Sequence, residues 1–480
     1  MLFSDHLQVA RSLAVSFPFD PTEDQKLLFY ALGRFLTSEK PRCTLVVKGY
    51  AGTGKTSVMG ALVKTLRASE KEFVLLAPTG RAAKVLAGHT DHPALTIHKH
   101  IYLRHDSFSG TSIRLAPNKY RNAVFIVDEA SMIAASTARD VEFGGRNLLD
   151  DLIDYVFSGR NCRLVLIGDG AQLPPVGTDH SPALDYKYLL QTYDLTIAEC
   201  ELTEVMRQSA QSDILTNATF LRHRLSDRDF DFPYFNLSVG GDLRILSGNE
   251  MSEALDGINR KHGTGNWLVI TRSNKQANII NRGIRQQVLW LEEEISSGDL
   301  IMVVKNNYYW LARETVDKSG FIANGDILLV ERVFDIFDAL GFRFARVRVR
   351  FADYVDAKPF ETILLLTTLY EDAPALTAEK QQALFEAVKA DLGDFPSRAL
   401  QMKAVAENAY FNALQVKFAY AVTCHKSQGG QWPAVFVEKG YLTDDMLGEE
   451  YLRWLYTAIT RARTELFLVN FEDRFFQSPS

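Results

Sequence analysis

The sequence predicts an α/β protein with two parallel-sheet units, the second of which is interrupted by a small β-barrel followed by helices. Two observations predict the sheets: short apolar runs recur along the chain, and loops of glycine, proline and acidic residues follow them. A third predicts the barrel, because turn pairs and alternating segments take over after residue 296. A chain of 480 residues is too long for one core, so two to four domains are expected.

The first unit is organised around a glycine-rich loop at residues 49–56, Gly-Tyr-Ala-Gly-Thr-Gly-Lys-Thr. The loop follows the apolar run Cys43 to Val47 and precedes a segment with helical spacing, which is the context that a phosphate-binding G-x-x-x-x-G-K-[ST] motif requires. Glycines let the backbone N–H groups turn toward a polyphosphate, the lysine adds charge for the β and γ phosphates, and the last hydroxyl can ligate Mg²⁺. A chance glycine-rich turn is the alternative. The predicted nucleotide-binding residues are Gly49, Ala51, Gly52, Thr53, Gly54, Lys55 and Thr56.

Two carboxylates, Asp128 and Glu129, end the apolar run Ala123 to Val127. Successive side chains of a strand point apart, so neither carboxylate is explained by a place in the core. In a protein with a phosphate-binding loop, Asp128 is expected to hold Mg²⁺ and Glu129 to orient and deprotonate the attacking water. The alternative is a solvated strand end.

Two glutamines are candidates for nucleotide contacts. Gln172 follows the run Arg163 to Ile167 and leaves the sheet on the same edge, where it could sense a γ-phosphate. Gln25 lies ahead of the glycine-rich loop, in the first turns of a helix that Thr22 would cap. Its amide could read adenine, although a glutamine considered alone is far more often a surface residue.

Composition describes an ordinary globular protein, with 46% hydrophobic and 23% charged residues and no apolar run of membrane-spanning length. Its four cysteines lie far apart without a C-x-x-C pair, which predicts reduced cysteines that bind no metal, in a cytoplasmic protein. The net charge of −6 argues against a surface coated with basic residues, so any nucleic acid must bind in a local groove.

Two insertions are predicted. A polar segment at 101–122 reads as a short hairpin with Phe108 at its tip, and a β-barrel with a helical extension occupies 295–404. Tyr308, Tyr309 and Trp310 could form part of the barrel core. The predicted domains are therefore 1–200 for the first unit, 201–294 with 405–480 for the second, and 295–404 for the insertion.

Several separated motifs resemble those of superfamily 1B DNA helicases, in the branch that includes RecD and the phage Dda helicase. Each motif alone is modest evidence, but their shared order is very specific. The motifs are GYAGTGKT at 49, APTGRAAK at 77, LTIHK at 95, VDEAS at 127, GDGAQLPPVG at 168, LTEVMRQ at 202, TRSNKQANIINR at 271, TCHKSQG at 423 and LYTAITRAR at 455.

The resemblance implies two RecA-like P-loop domains with ATP in the cleft between them and single-stranded DNA across both. It implies that Gln25 contacts adenine and that Thr56 and Asp128 hold Mg²⁺. Two arginines of the second domain would reach into the cleft as arginine fingers, which would tie hydrolysis to domain closure. The implied catalytic residues are Lys55, Glu129, Gln172, Arg207 and Arg461.

The same resemblance points to DNA contacts made by hydroxyl, amide and imidazole groups, which fix position without reading sequence. Phe108 would correspond to the strand-separating pin, although an exposed hairpin tip is an equal alternative. The helical run 377–408 matches no motif. The implied DNA-contacting residues are Pro78, Thr79, His98, Lys99, Phe108, Asn274, Thr423 and His425.

The implied function is an ATP-dependent DNA helicase that moves 5′ to 3′ on single-stranded DNA. Its expected partners are single-stranded DNA, duplex junctions and replication or repair proteins, and it is expected to act as a monomer away from membranes. A P-loop ATPase or kinase acting on a small molecule is an alternative, but it leaves Arg461 and the TCHKSQG segment without a role. A nucleotide-switched scaffold without unwinding is the other alternative.

Overall fold

The architecture comes from a computed structural model that describes residues 5–107, 110–135, 147–205, 212–311, 322–353 and 357–476. Two residues with predicted roles, Phe108 and Arg207, lie outside these ranges. No helix in the described ranges has the length and apolar character that a membrane span requires.

The first lobe surrounds a six-stranded parallel sheet with the strand order β3-β2-β6-β7-β1-β8. Its inner strands are continuous apolar runs because helices cover both faces of the sheet. The elements of this lobe are α1 (His6–Ser16), α2 (Glu23–Thr37), β1 (Cys43–Gly49), α3 (Lys55–Ala68), β2 (Phe73–Ala77), α4 (Gly80–Thr90), β3 (Ala94–Thr96), α5 (Ile97–Ile101), β4 (Tyr102–Ser107), β5 (Gly110–Leu115), β6 (Val124–Val127), α6 (Leu148–Ser158), β7 (Arg163–Gly168), α7 (Tyr186–Thr192) and β8 (Thr196–Leu202).

Strands β4 and β5 form a separate antiparallel hairpin between α5 and β6. Its pairing runs from Tyr102 with Leu115 to Ser107 with Gly110, within the predicted insertion at 101–122. The hairpin therefore forms its own two-stranded sheet rather than extending the first sheet.

The second lobe surrounds a five-stranded parallel sheet with the order β16-β10-β17-β18-β9. The chain leaves this lobe after α10, builds a barrel and returns at β16. Before the departure the elements are α8 (Asp213–Asp227), β9 (Leu243–Leu246), α9 (Met251–His262), β10 (Trp267–Thr271) and α10 (Asn274–Gln287).

A closed barrel, β11-β12-β13-β14-β15, and two helices form the insertion. Its elements are β11 (Leu300–Val303), β12 (Ile327–Ala339), β13 (Phe342–Phe351), β14 (Phe360–Leu365), α11 (Ala378–Asp391), α12 (Arg398–Ala406) and β15 (Leu414–Phe418). The rest of the second lobe is β16 (Ala421–Thr423), α13 (Cys424–Ser427), β17 (Trp432–Glu438), α14 (Glu449–Ile459) and β18 (Ala462–Val469). The predicted fold class, α/β with a hairpin in the first sheet unit and a barrel with helices in the second, is confirmed.

The exit from the barrel differs from the sequence-based expectation. Its apolar residues alone predict that the run Phe418 to Val422 is one strand of the second sheet, but its first residue closes the barrel in β15 and Ala421 starts β16. Strand β15 also lies beyond residue 404, where the predicted insertion ends. Tyr309 is buried and Trp310 packs against the core shared by the barrel and the second sheet.

A buried ion pair joins the barrel to the second lobe. Arg285 of α10 donates from Nε and Nη2 to the two carboxylate oxygens of Asp299, both at 2.9 Å. The Tyr420 hydroxyl donates to the same carboxylate at 3.0 Å, and the backbone N–H of Ser296 donates at 2.7 Å. Because all partners are supplied, the pair holds the start of β11 against α10.

We expect Asp299→Asn to lower the free energy of unfolding by about 3–5 kcal/mol, because it leaves the buried Arg285 guanidinium without its counter-charge. Chemical denaturation measures this loss. The matched control is Asp338→Asn, which removes the carboxylate of a solvent-exposed pair with Arg343. If both variants unfold at the same denaturant concentration, the ion pair between Arg285 and Asp299 does not hold the barrel against the second lobe.

Candidate functional site

The glycine-rich loop connects β1 to the start of α3. Gly52 and Gly54 have positive φ angles of 78° and 82°, a backbone conformation that residues with a Cβ rarely adopt. Gly54 occupies the N-cap of α3 without a side-chain cap, and Lys55 is the first helical residue. The free N–H groups at this helix start form a cradle suited to an anion.

The Lys55 ammonium lies over the loop. It donates to the carbonyl oxygens of Gly49 at 2.6 Å and Tyr50 at 2.9 Å, and it lies 4.0 Å from a carboxylate oxygen of Asp169. The side chain is therefore folded back above the cradle, where a polyphosphate would meet it. Thr56, the next residue of α3, is half-buried.

Gln25 supports the loop from α2. Its side chain is fully buried, at 0% exposure; its Oε1 accepts from the backbone N–H of Thr22 at 3.0 Å, and its Nε2 donates to the carbonyl oxygen of Thr53 at 3.0 Å. The first bond belongs to the capping box of α2, and the second fixes the loop. Both ends of the amide are thus used inside the chain, and the predicted adenine contact stays a prediction.

Two acidic residues stand where β6 ends. Glu129 has a positive φ of 53°, a strained conformation for a residue with a side chain, and its N–H donates to Asp128 Oδ1 at 2.9 Å. Burial raises the pKa of both carboxyl groups above their ordinary values, and the nearby Lys55 ammonium opposes the rise. The charged forms of both groups are therefore disfavoured unless a cation lies beside them.

Arg461, which follows α14, faces this acidic pair from the second lobe. Its guanidinium donates to Thr457 O at 3.0 Å, Gly430 O at 3.3 Å and Thr460 Oγ1 at 3.2 Å, and only 3% of its surface is exposed. Its Nη1 lies 4.0 Å from Glu129 Oε1, and the Glu129 side chain is 21% exposed. Residues of both lobes thus meet beside the loop.

The loop after β7 also lies between the lobes. Gln172 is buried, and its Oε1 has no hydrogen-bond partner among the residues that the structure describes. The Asp169 carboxylate accepts from the Ala171 N–H at 2.9 Å and from the hydroxyl of Tyr456 at 2.6 Å. Asp169 and Tyr456 were not singled out from the sequence, although both lie inside quoted motifs.

Of the predicted DNA-contacting residues, several lie where α4 meets α13. Thr79 caps α4, with its hydroxyl accepting from Ala82 N at 3.2 Å. A Cβ added to Gly429, just after α13, would lie 3.1 Å from the Thr79 hydroxyl, so the two segments touch. Pro78 precedes the cap, Thr423 ends β16, half-buried His425 lies within α13, and half-buried Asn274 starts α10.

Basic residues of the first lobe contact the barrel. Lys99 Nζ of α5 lies 3.7 Å from Asp326 and 4.8 Å from the centroid of the Phe351 ring. Arg81 and Lys84 of α4 lie 3.2 Å and 3.5 Å from Asp353. Lys99 is therefore engaged by a carboxylate, and a DNA phosphate would have to compete with it. His98, its neighbour in α5, is half-buried, with its ring 5.8 Å from that of Tyr102.

The chain matches two family models: an AAA domain at residues 30–231 and a UvrD-like helicase C-terminal domain at residues 418–469. The ATP-dependent RecD2 DNA helicase of Deinococcus radiodurans is 31% identical over 179 residues, covering 37% of this chain and 22% of that protein. The ATP-dependent DNA helicase dda of Enterobacteria phage T4 is 24% identical over 299 residues, covering 59% and 61%. These matches support a place for the chain among superfamily 1B helicases.

The predicted family is thus supported. The chain spans less than two thirds of the length of the relatives named above, and 36% of a Methanocaldococcus jannaschii protein, MJ1519, to which it is 24% identical over 457 residues. Among solved structures, a Bacteroides Pif1 helicase in complex with ADP-AlF3 and ssDNA is 14% identical, with 95% of this chain and 94% of that chain covered and a TM-score of 0.45.

We expect Gln25→Ala to weaken binding of ATP and GTP by the same factor, about fivefold, because one hydrogen bond to the loop is lost rather than a contact to the base. Titration with fluorescent analogues of both nucleotides measures the two dissociation constants. Gln8→Ala, at an exposed glutamine of α1, is the control. A loss confined to ATP would instead support the adenine contact.

Proposed function

We propose that the chain is an ATP-dependent DNA helicase that moves 5′ to 3′ on single-stranded DNA and unwinds duplex DNA. The observation that carries the proposal is the approach of Arg461 to within 4.0 Å of Glu129, which brings a cation of the second lobe beside the glycine-rich loop of the first. One nucleotide site would then be shared by two lobes of the same chain. A monomer suffices for such a site.

The proposed reaction is hydrolysis of the terminal phosphate of ATP. The oxygen of a water attacks the γ-phosphorus, its proton passes to Glu129, and the bond from the γ-phosphorus to the bridging oxygen breaks to leave ADP and phosphate. Lys55 holds the β and γ phosphates, and Arg461 stabilises the charge of the transition state. Gln172, whose buried amide oxygen is unpaired in the described structure, is available to sense the γ-phosphate.

Mg²⁺ fits the same residues. Asp128 and Glu129 bring two half-buried carboxyl groups together, and their partial burial raises the pKa of both, so a divalent cation would stabilise their charged forms. Asp128 and the Thr56 hydroxyl would hold the ion. When bound, the ion would neutralise phosphate oxygens during the displacement.

Movement would follow from the division of the site between lobes. Arg461 keeps three hydrogen bonds within its own lobe, so its charge stays satisfied when the lobes separate. It would assist hydrolysis only in the closed arrangement. Opening and closing would thereby be tied to turnover of the nucleotide.

DNA is the proposed track because both named relatives, RecD2 and dda, are DNA helicases. The contact between Thr79 and Gly429 supports a strand that crosses from one lobe to the other at α4 and α13. Hydroxyl and imidazole groups there would hold phosphates without reading bases, so affinity should show little sequence preference and should fall with salt.

The decisive measurement is unwinding of duplexes that carry either a 5′ or a 3′ single-stranded tail, with ATP and Mg²⁺. We expect strand separation from the 5′-tailed duplex only, and single-stranded DNA should raise the ATPase rate. Lys55→Ala, which removes the phosphate-binding ammonium, should abolish both activities. Unwinding of 3′ tails alone would overturn the polarity, and an ATPase indifferent to DNA would favour a small-molecule reaction.

Glu129→Gln serves as the second control for this measurement. It keeps the shape of the side chain but removes the base, so turnover should fall by at least about a hundredfold while nucleotide still binds. A variant that hydrolyses ATP at the wild-type rate would remove Glu129 from the mechanism and would fit a nucleotide-switched scaffold.

The rate should fall at acidic pH, because the Glu129 base must be deprotonated. Burial raises the pKa of this carboxyl group, the neighbouring Asp128 raises it further, and the Arg461 and Lys55 cations lower it. Removing one cation in Arg461→Gln should therefore move the acidic limb of the kcat against pH profile to higher pH, in addition to slowing the reaction. A limb that stays in place or moves to lower pH would contradict this assignment.

A further inference from the structure

Residues on one face of α14, together with Arg461 in the turn after it, contact the first lobe. The contacting residues fall at positions i, i+3, i+4 and i+8, so they share that face. Apart from the approach of Arg461 to Glu129, these contacts are hydrogen bonds between side chains of α14 and loops at the edge of the first sheet. These contacts are Arg453 Nη1 to Gly170 O at 2.5 Å and Gln172 O at 3.2 Å, the Tyr456 hydroxyl to Asp169 at 2.6 Å and to Ala51 N at 2.9 Å, and Thr457 Oγ1 to Leu173 N at 2.8 Å.

The Tyr456 hydroxyl makes two bonds at once, and both end on nucleotide-site loops. It accepts from the backbone N–H of Ala51, inside the glycine-rich loop, and donates to Asp169 Oδ2. Asp169 is itself fixed by the Ala171 N–H, and the same carboxylate oxygen lies 4.0 Å from the Lys55 ammonium. Tyr456 is thus the junction between the second lobe and the loop that carries Lys55.

The bonding pattern requires a neutral hydroxyl that both donates and accepts. Tyr456 is 1% exposed, and burial beside the Asp169 carboxylate holds its pKa well above the ordinary value. The hydroxyl therefore keeps its proton in the pH range where the protein is folded. A phenylalanine would fill the same space and leave a buried N–H and a buried carboxylate oxygen each with one partner fewer.

We propose that Tyr456 is a positioning residue that sets the register of α14, and therefore of Arg461, against the glycine-rich loop. Arg461 follows Tyr456 by five positions on one short segment, so a shift of the helix relative to the first lobe also displaces the Arg461 guanidinium. Tyr456 touches neither phosphate nor water in this scheme and acts through the arginine. The inference rests on the proposed hydrolysis of ATP for its kinetic consequence, but its structural consequence is independent of turnover.

Tyr456→Phe is the test, and the chain offers a matched control. Tyr451 lies on the same helix and is also buried, but its hydroxyl has no hydrogen-bond partner among the described residues. Removal of that hydroxyl in Tyr451→Phe changes the same atom at a comparable depth. We expect Tyr456→Phe to lower kcat for ATP hydrolysis about tenfold with KM within about twofold of wild type, and Tyr451→Phe to leave both unchanged.

A second measurement needs no turnover. Hydrogen–deuterium exchange of the peptide that spans residues 49–54 should quicken in Tyr456→Phe, because the Ala51 N–H loses its acceptor, and should stay at the wild-type rate in Tyr451→Phe. Equal exchange in the two variants overturns the proposal. If wild-type protein hydrolyses ATP without responding to DNA, the helicase function fails while the comparison of basal kcat still decides the role of Tyr456.

A double variant distinguishes a positioning role of Tyr456 from a simple loss of protein stability. If Tyr456 acts through Arg461, then adding Tyr456→Phe to Arg461→Ala should lower kcat no further, because the group being positioned is already gone. Independent losses that multiply in the double variant would overturn the proposal. The proposal is also overturned if both tyrosine variants lower the thermal midpoint of unfolding by the same amount and neither changes kcat.

Discussion

The structure depends on a contact between two lobes that carry opposite charges at the cleft. Glu129 and Arg461 lie 4.0 Å apart, close enough for attraction but beyond a direct hydrogen bond. Arg461 donates three hydrogen bonds within its own lobe, and none of them depends on Glu129. The contact with Glu129 can therefore be made and broken without leaving these donors of Arg461 unsatisfied.

The barrel adds a second set of ionic contacts at α4 and α5. The Asp326 and Asp353 side chains are almost fully buried, each has one carboxylate oxygen without a hydrogen-bond partner in the described structure, and each meets cations of the first lobe. Arg81 also stacks 4.5 Å above the Trp432 ring of the second lobe, so all three bodies meet at the start of α4. In a chain of net charge −6, basic residues near the proposed DNA path are thus paired with buried carboxylates of the barrel.

The sequence was sufficient for features whose signal is local. The glycine-rich loop, the acidic end of β6 and the inner strands of both sheets follow from short patterns, because parallel strands covered on both faces must be apolar throughout. The outer strands β8 and β9 were not predicted. Edge strands keep one side in solvent, so β8 carries Glu199 and Glu201 where an inner strand would be apolar.

The division of the run Phe418 to Val422 between barrel and sheet could not be predicted for a different reason. No glycine or proline marks the boundary, and both segments are buried, so hydrophobicity is the same on either side. The boundary is set by tertiary partners: the Tyr420 hydroxyl accepts from Leu300 N at 3.0 Å, while the N–H of Ala421 donates to Asn281 at 2.8 Å. Pairs so far apart in the chain leave no trace in a local pattern.

The same limit explains why the predicted catalytic residues were all polar or charged while Tyr456 was not identified. Charge near a phosphate-binding motif suggests chemistry by itself, whereas a tyrosine in an apolar helix resembles core until its partners, 405 and 287 positions away, are known. The hydroxyl contacts are short and directional, and the charged contact across the cleft is longer and less so. In this cleft the short hydrogen bonds of α14 therefore hold the helix against the first lobe, and the longer contact between Arg461 and Glu129 leaves their charges available to whatever lies between the lobes.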